Sequence, residues 1–156
     1  MRGAIRTAVG VATAGLLVLA MANPASAVTM ENDTAVRDTS DAGDGCITMG
    51  NLSATACFKP YGDVVFAVDM LPDGYSVYAL WQNELRNSVG TWGLYRNGKC
   101  SWSGSAPSKG SCNKDMYEHS SSNAWGGKGS RVRVKACTND LGDDTCSGWS
   151  SWIYNQ

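Results

Sequence analysis

The chain has no Cys-x-x-Cys pair, no Gly-x-Ser-x-Gly elbow and only one histidine, His119. The first absence argues against a zinc site, the second leaves none of the many serines marked as a nucleophile, and the third leaves one imidazole base at most. His119 stands beside Glu118 in a Ser-rich loop, and a catalytic base there would need a nucleophile that no motif selects, so a solvated loop histidine is expected. Nor is there a basic run. From Cys46 onward ten Lys plus Arg face nine Asp plus Glu, a balance without the cationic footprint of a nucleic-acid binder. No stretch after the first 27 residues is long and apolar enough to span a bilayer. A 3.6-residue apolar period is also missing there, which excludes a helical design.

The first 27 residues have the three-part layout of a secretory signal peptide. Arg2 and Arg6 form a basic start, Val9 to Ala22 is apolar, and Ala25-Ser26-Ala27 supplies a small-residue cleavage box. All six cysteines lie beyond it, an even number, as expected of a secreted, disulfide-stapled domain. Ten residues separate Cys46 from Cys57, eleven separate Cys100 from Cys112, and eight separate Cys137 from Cys146. Six cysteines allow fifteen connectivities; the sequential one is expected because each pair can close a local loop. Each such loop contributes about 3 kcal/mol in the chain-entropy picture.

Cleavage after Ala27 leaves eleven Lys plus Arg against all fourteen Asp plus Glu. Most of the excess sits in 28–45, where Glu31, Asp33, Asp38, Asp41 and Asp44 face only Arg37. With no aromatic residue and little apolar surface, this segment reads as a flexible acidic leader, and 46–156 as a single β-domain.

Three hairpins are expected in that domain. Asp63–Asp69 and Tyr75–Trp81 flank the turn Pro72-Asp73-Gly74, the second with two largely apolar faces, as in a central strand. Thr91–Arg96 and Lys99–Ser103 flank Asn97-Gly98, the strongest short turn signal. Arg131–Cys137 and Cys146–Tyr154 flank an acidic loop clamped by its cysteines, with one further strand near Cys112–Tyr117. Short strands, many turns and eighteen glycines predict an all-β, immunoglobulin-like sandwich, with a small closed barrel as the alternative.

Arg131-Val132-Arg133-Val134-Lys135-Ala136 and Gly148-Trp149-Ser150-Ser151-Trp152 resemble the final strands of fibronectin type III and related immunoglobulin-like sandwiches. The second group also resembles the Trp-Ser-x-Trp-Ser motif of cytokine-receptor domains, with Ile153 in place of the last serine. That resemblance implies tryptophans stacked between the basic side chains of the neighbouring strand. It requires Trp149 and Trp152 on one side, which a flat strand opposes and a three-residue polyproline turn allows. The Ala/Gly/Val-rich start with Ala-Ser-Ala, and Ala56-Cys57-Phe58-Lys59-Pro60-Tyr61-Gly62-Asp63 before a strand, resemble small secreted proteins of streptomycete-like actinobacteria. Those proteins carry no activity that transfers to a residue here.

Candidate chemistry is sparse. Gly126-Gly127-Lys128-Gly129-Ser130 lacks the Gly-Lys-Ser/Thr ending of a phosphate loop and reads as a flexible approach to the next strand. Asp140, Asp143 and Asp144 offer oxygens to calcium, but without EF-hand spacing or a bidentate glutamate a solvated turn is favoured. No spacing makes two of Asp63, Asp69, Asp73, Glu84, Asp115 and Glu118 converge as a glycosidase pair. Neither catalysis nor a cofactor is expected. The six tryptophans and six tyrosines are the better lead. Trp102, Trp125, Trp149, Trp152 and Tyr154 lie beside Ser, Gly and Asn, as half-exposed binding aromatics do. The expectation is a secreted, monomeric, non-catalytic module binding an extracellular polysaccharide, with no membrane or nucleic-acid partner. The alternative is a factor binding a secreted protein, such as a protease inhibitor presenting a clamped loop near Ala106–Gly110.

Overall fold

The computed structural model describes residues 28–140 and 142–156; the expected signal peptide lies outside them. Eleven strands run in chain order as β1 (Met30–Thr34), β2 (Val36–Arg37), β3 (Gly45–Thr48), β4 (Ala54–Lys59), β5 (Val64–Asp69), β6 (Ser76–Arg86), β7 (Trp92–Trp102), β8 (Ser108–Asn113), β9 (Ser130–Asn139), β10 (Thr145–Cys146) and β11 (Ile153–Tyr154). Among the described residues there is no helix. One sheet has the order β1-β7-β6-β9, with β10 and β11 sharing the far edge of β9. The other has the order β2-β8-β5-β4-β3. The fold is an all-β sandwich of two separate sheets; neither closes on itself as a barrel would.

β6 is the central strand that its apolar faces predicted, paired with β7 and β9. Its residues Val77, Ala79, Trp81, Asn83 and Leu85 are buried and point inward, with Val132, Val134 and Ala136 of β9 beside them. Across the sandwich they meet Ala56 and Phe58 of β4 and Val65 and Ala67 of β5. The cysteines pair sequentially. Cys46–Cys57 and Cys137–Cys146 cross adjacent strands with Cα separations of 4.0 and 4.1 Å. Cys100–Cys112, with a Cα separation of 6.0 Å, joins β7 of one sheet to β8 of the other. Three disulfides are the pattern of proteins that fold in an oxidising compartment.

Local turn chemistry misled in two places. Pro72-Asp73-Gly74 does turn the chain, but β5 and β6 lie in different sheets, so the connection crosses the sandwich instead of closing a hairpin. Asn97-Gly98 does not turn at all; β7 runs straight through it. A Cβ on Gly98 would sit 2.6 Å from the indole of fully buried Trp81, its register partner. This glycine serves close packing, not a turn. The strand expected near Cys112 is β8, which begins at Ser108 and absorbs most of the expected Ala106–Gly110 loop.

The acidic leader is also corrected. β1 adds to the first sheet parallel to β7, and β2 adds to the second sheet against β8, with Ala35 buried between them. The segment therefore clips one edge of both sheets, and among the described residues strand pairing already starts at Met30, ahead of Cys46. Its charges explain the order. Glu31 accepts from Arg96 at 2.7 and 3.0 Å and from Lys114 Nζ at 2.9 Å, and Asp33 also binds Lys114. The Lys114 side chain is only 5% exposed and lies over the Trp81 ring, 4.9 Å from its centroid. Without β1 a buried cation would have no carboxylate partner. Arg96 holds the Glu31 carboxyl below its ordinary pKa, with Lys114 adding to the effect against desolvation.

Candidate functional site

The segment 147–152 leaves the strand ladder and follows β9 in a different rhythm. Ser147 N–H donates to Ala136 O, and Ser147 Oγ accepts from Ala136 N–H. Ser150 repeats both bonds with Val134, and Ile153 then pairs with Val132. Three residues of this segment thus match two of β9, an advance of about 6.7 Å, or about 2.2 Å per residue. A chain so contracted winds once per three residues, which returns Trp149 and Trp152 to the same side.

Those two rings complete a ladder with the outward side chains of β9. Lys135 lies 5.7 Å from the centroid of Trp149, and Arg133 lies 4.8 and 4.5 Å from those of Trp149 and Trp152. Arg131 lies 4.4 and 4.3 Å from those of Trp152 and Trp92. Across the sheet, Glu84 accepts from Arg131 Nε and Nη2 at 2.9 and 2.6 Å, and Gln82 does the same for Arg133 at 2.9 and 2.6 Å. Beyond Trp92 the stack ends on His119, nearly parallel at 6.3 Å, and on Tyr154. His119 is therefore half-buried in an aromatic stack instead of solvated, its Nδ1 3.3 Å from Ser130 O. Two cations thus lie over each of Trp149 and Trp152, so both rings are engaged within the fold.

The five expected binding aromatics consequently separate. Trp149, Trp152 and Tyr154 share the ladder, with Tyr154 50% exposed at its end. Trp125 is 36% exposed and packs edge-on against Tyr95, which in turn contacts Tyr117. Trp102 is a core residue, not a surface one. It is buried over Gly110, where a Cβ would meet the indole at 2.3 Å, and its Nε1 donates to Ser108 Oγ at 3.0 Å. Trp92, Tyr95 and Tyr117 were missed as partners, because nothing local to them reveals the residues they meet.

A second candidate site lies at one end of the sandwich, where the β5–β6 and β7–β8 crossings approach the end of β9. A cleft of about 620 Å³ is lined there by Asp69, Leu71, Tyr75, Ser76, Ser103 to Ala106 and Asn139. The disulfides Cys100–Cys112 and Cys137–Cys146 tie the strands that carry two of its walls. Asp69 is buried, and burial pushes its carboxyl above the ordinary carboxylate pKa. Its Oδ1 accepts the Leu71 N–H at 3.3 Å, and Asn139 Nδ2 donates to Ser76 Oγ at 3.3 Å. Tyr75 is 40% exposed.

The acidic loop is used within the fold. Asp144 accepts from the Tyr78 hydroxyl at 2.7 Å, and Asp140 from Thr145 Oγ1 at 3.1 Å; Asp143 is exposed. Burial first, and then Asp144, raise the Tyr78 hydroxyl above its ordinary pKa. Among the described residues no three His, Cys, Asp or Glu side chains gather as a metal site. Asp63 Oδ1 accepts from Asn155 Nδ2 at 2.6 Å and Oδ2 from Met116 N–H at 3.1 Å. The 126–130 segment is held by Asn123 Nδ2, which donates to Arg86 O and Gly129 O at 2.9 and 3.0 Å.

Comparison of the chain with protein-family models, curated proteins and solved structures finds no match.

Proposed function

We propose that the protein is a secreted, non-catalytic carbohydrate-binding module whose ligand occupies the end cleft. The observation that carries this reading is the buried Asp69 carboxyl opening on a cleft with Tyr75 and Asn139 in its walls. Sugars pair a rim of hydroxyl donors with an apolar C–H face. A desolvated carboxylate is a strong acceptor for the first, and an amphipathic phenol ring suits the second. The cleft volume falls within the range of small-ligand sites. The disulfides Cys100–Cys112 and Cys137–Cys146 preorganise two of the walls, lowering the ordering cost of binding.

A pull-down on chitin, cellulose and purified cell wall tests the reading. Saturable capture by one polymer, reduced at least about tenfold in Tyr75→Ala and Asp69→Asn, is expected. Capture that both variants retain would overturn the site. A second reading, a factor binding a secreted protein, draws on Met70 and Leu71, both exposed beside the same cleft. It predicts capture of a protease from a secreted panel and of none of the polymers.

A further inference from the structure

We propose that the outer face of the six-stranded sheet docks an acidic polysaccharide, whose anionic groups meet Lys99, Lys135 and Arg133. The inference rests on the carbohydrate reading above and narrows it to a class of polymer. Lys99, Leu80 and Lys135 are register partners across β7, β6 and β9. Val77, Ala79, Trp81 and Asn83 of β6 point inward, so this row points outward, with its lysines about 9.6 Å apart at their Cα atoms. Arg133 follows one outward row along β9, about 6.7 Å further.

These three cations carry no carboxylate partner among the described residues, whose ion pairs join Arg96 and Lys114 to Glu31, Lys114 to Asp33, and Arg131 to Glu84. They are nevertheless held in place. Lys99 Nζ lies 3.7 Å from the Tyr78 ring centroid, Lys135 rests on Trp149, and Arg133 is fixed between two indoles and the neutral Gln82 amide. Aromatic and amide partners position the charges without neutralising them. Asp144, beside the same row, accepts from the Tyr78 hydroxyl and keeps its negative charge, so the three cations outnumber it on this face. A chain of net negative charge thus gathers an excess of cations on one face, an arrangement that an anionic partner complements. Ser76 and Asn139 of the end cleft lie on the same face, about 13 Å from the Leu80 row, so one polymer can run from cleft to cations. Three cations on an acidic protein suit a sparsely charged polysaccharide better than a nucleic acid, whose phosphates would recruit a broader basic surface.

Calorimetric titration of the oxidised protein with polygalacturonate tests the proposal, with neutral cello-oligosaccharides, a DNA duplex and polyphosphate alongside. Polygalacturonate is expected to bind, with affinity falling about tenfold between about 20 and 300 mM NaCl. Lys99→Gln/Lys135→Gln should weaken that binding about tenfold and leave neutral-sugar binding and the circular dichroism spectrum unchanged. Binding of polygalacturonate that survives Tyr75→Ala, when wild type binds no neutral sugar, would uphold the basic face and refute the cleft reading. The face is refuted by an unchanged affinity in the double variant, by no preference over neutral polymer, or by equal affinity for DNA or polyphosphate.

Discussion

Replacing Glu31 and Asp33 together by Gln and Asn should destabilise the whole sandwich, although both residues sit in a strand of five residues at a sheet edge. The change keeps the β1 ladder and removes two charges. Arg96, about a quarter exposed, can turn to water, whereas the 5%-exposed Lys114 ammonium cannot. A buried charge stripped of its partner costs about 3–5 kcal/mol. Both carboxylates are about one-third exposed, which screens the original pairs, so the lower end, about 3 kcal/mol, is appropriate. For a domain near this size that loss lowers Tm by about 10 °C, measurable by thermal circular dichroism of the oxidised protein. Adding Lys114→Met should return most of the loss, because the orphaned charge is gone. The effect has a pH signature. Glu31 has a depressed pKa in the fold, so its contribution is present above about pH 4.5 and is lost as pH falls through the depressed folded value. A Tm change under about 2 °C, or no rescue by Lys114→Met, would refute the role assigned to β1.

Gly98→Ala should cost about 2–3 kcal/mol in urea unfolding, because its Cβ must displace the fully buried Trp81 ring; a neutral result would restore the turn reading of Asn97-Gly98. Trp152→Ala removes the ring between Arg131 and Arg133 and should cost about 2–3 kcal/mol with a change in near-ultraviolet circular dichroism, whereas Trp125→Ala should leave the ladder signal intact. Asp69→Asn should maintain or raise Tm at pH 7, since a carboxyl whose pKa is raised by burial opposes folding while ionised, and this gain should vanish as pH falls below about 4. A lower Tm at pH 7 in that variant would show that the charge is compensated.

Features governed by neighbours in sequence are legible in the sequence itself. The sequential disulfides follow from short spacings, and the central position of β6 from its two apolar faces. The Arg–Trp ladder was legible because the resemblance of 148–152 to the Trp-Ser-x-Trp-Ser motif implies it and alternation along β9 puts Arg131, Arg133 and Lys135 on one face. Features answered by distant residues were not. Glu31 and Asp33 look like solvated acids until Arg96 and Lys114 are brought beside them, some 65 to 83 residues along the chain. Gly98 looks like a turn until Trp81 is laid over it, and Trp102 looks exposed until Gly110 makes room for it. The end cleft has no motif because its walls come from separate crossings between sheets.

The most direct test is amide chemical-shift mapping of the isotope-labelled, oxidised protein titrated with neutral oligosaccharides of the polymer that captures it. The account predicts saturable shifts concentrated at 69–76, 103–106 and Asn139, with Trp149 and Trp152 unmoved. Shifts centred on the tryptophan ladder, or no saturable shift with any sugar tested, would contradict it.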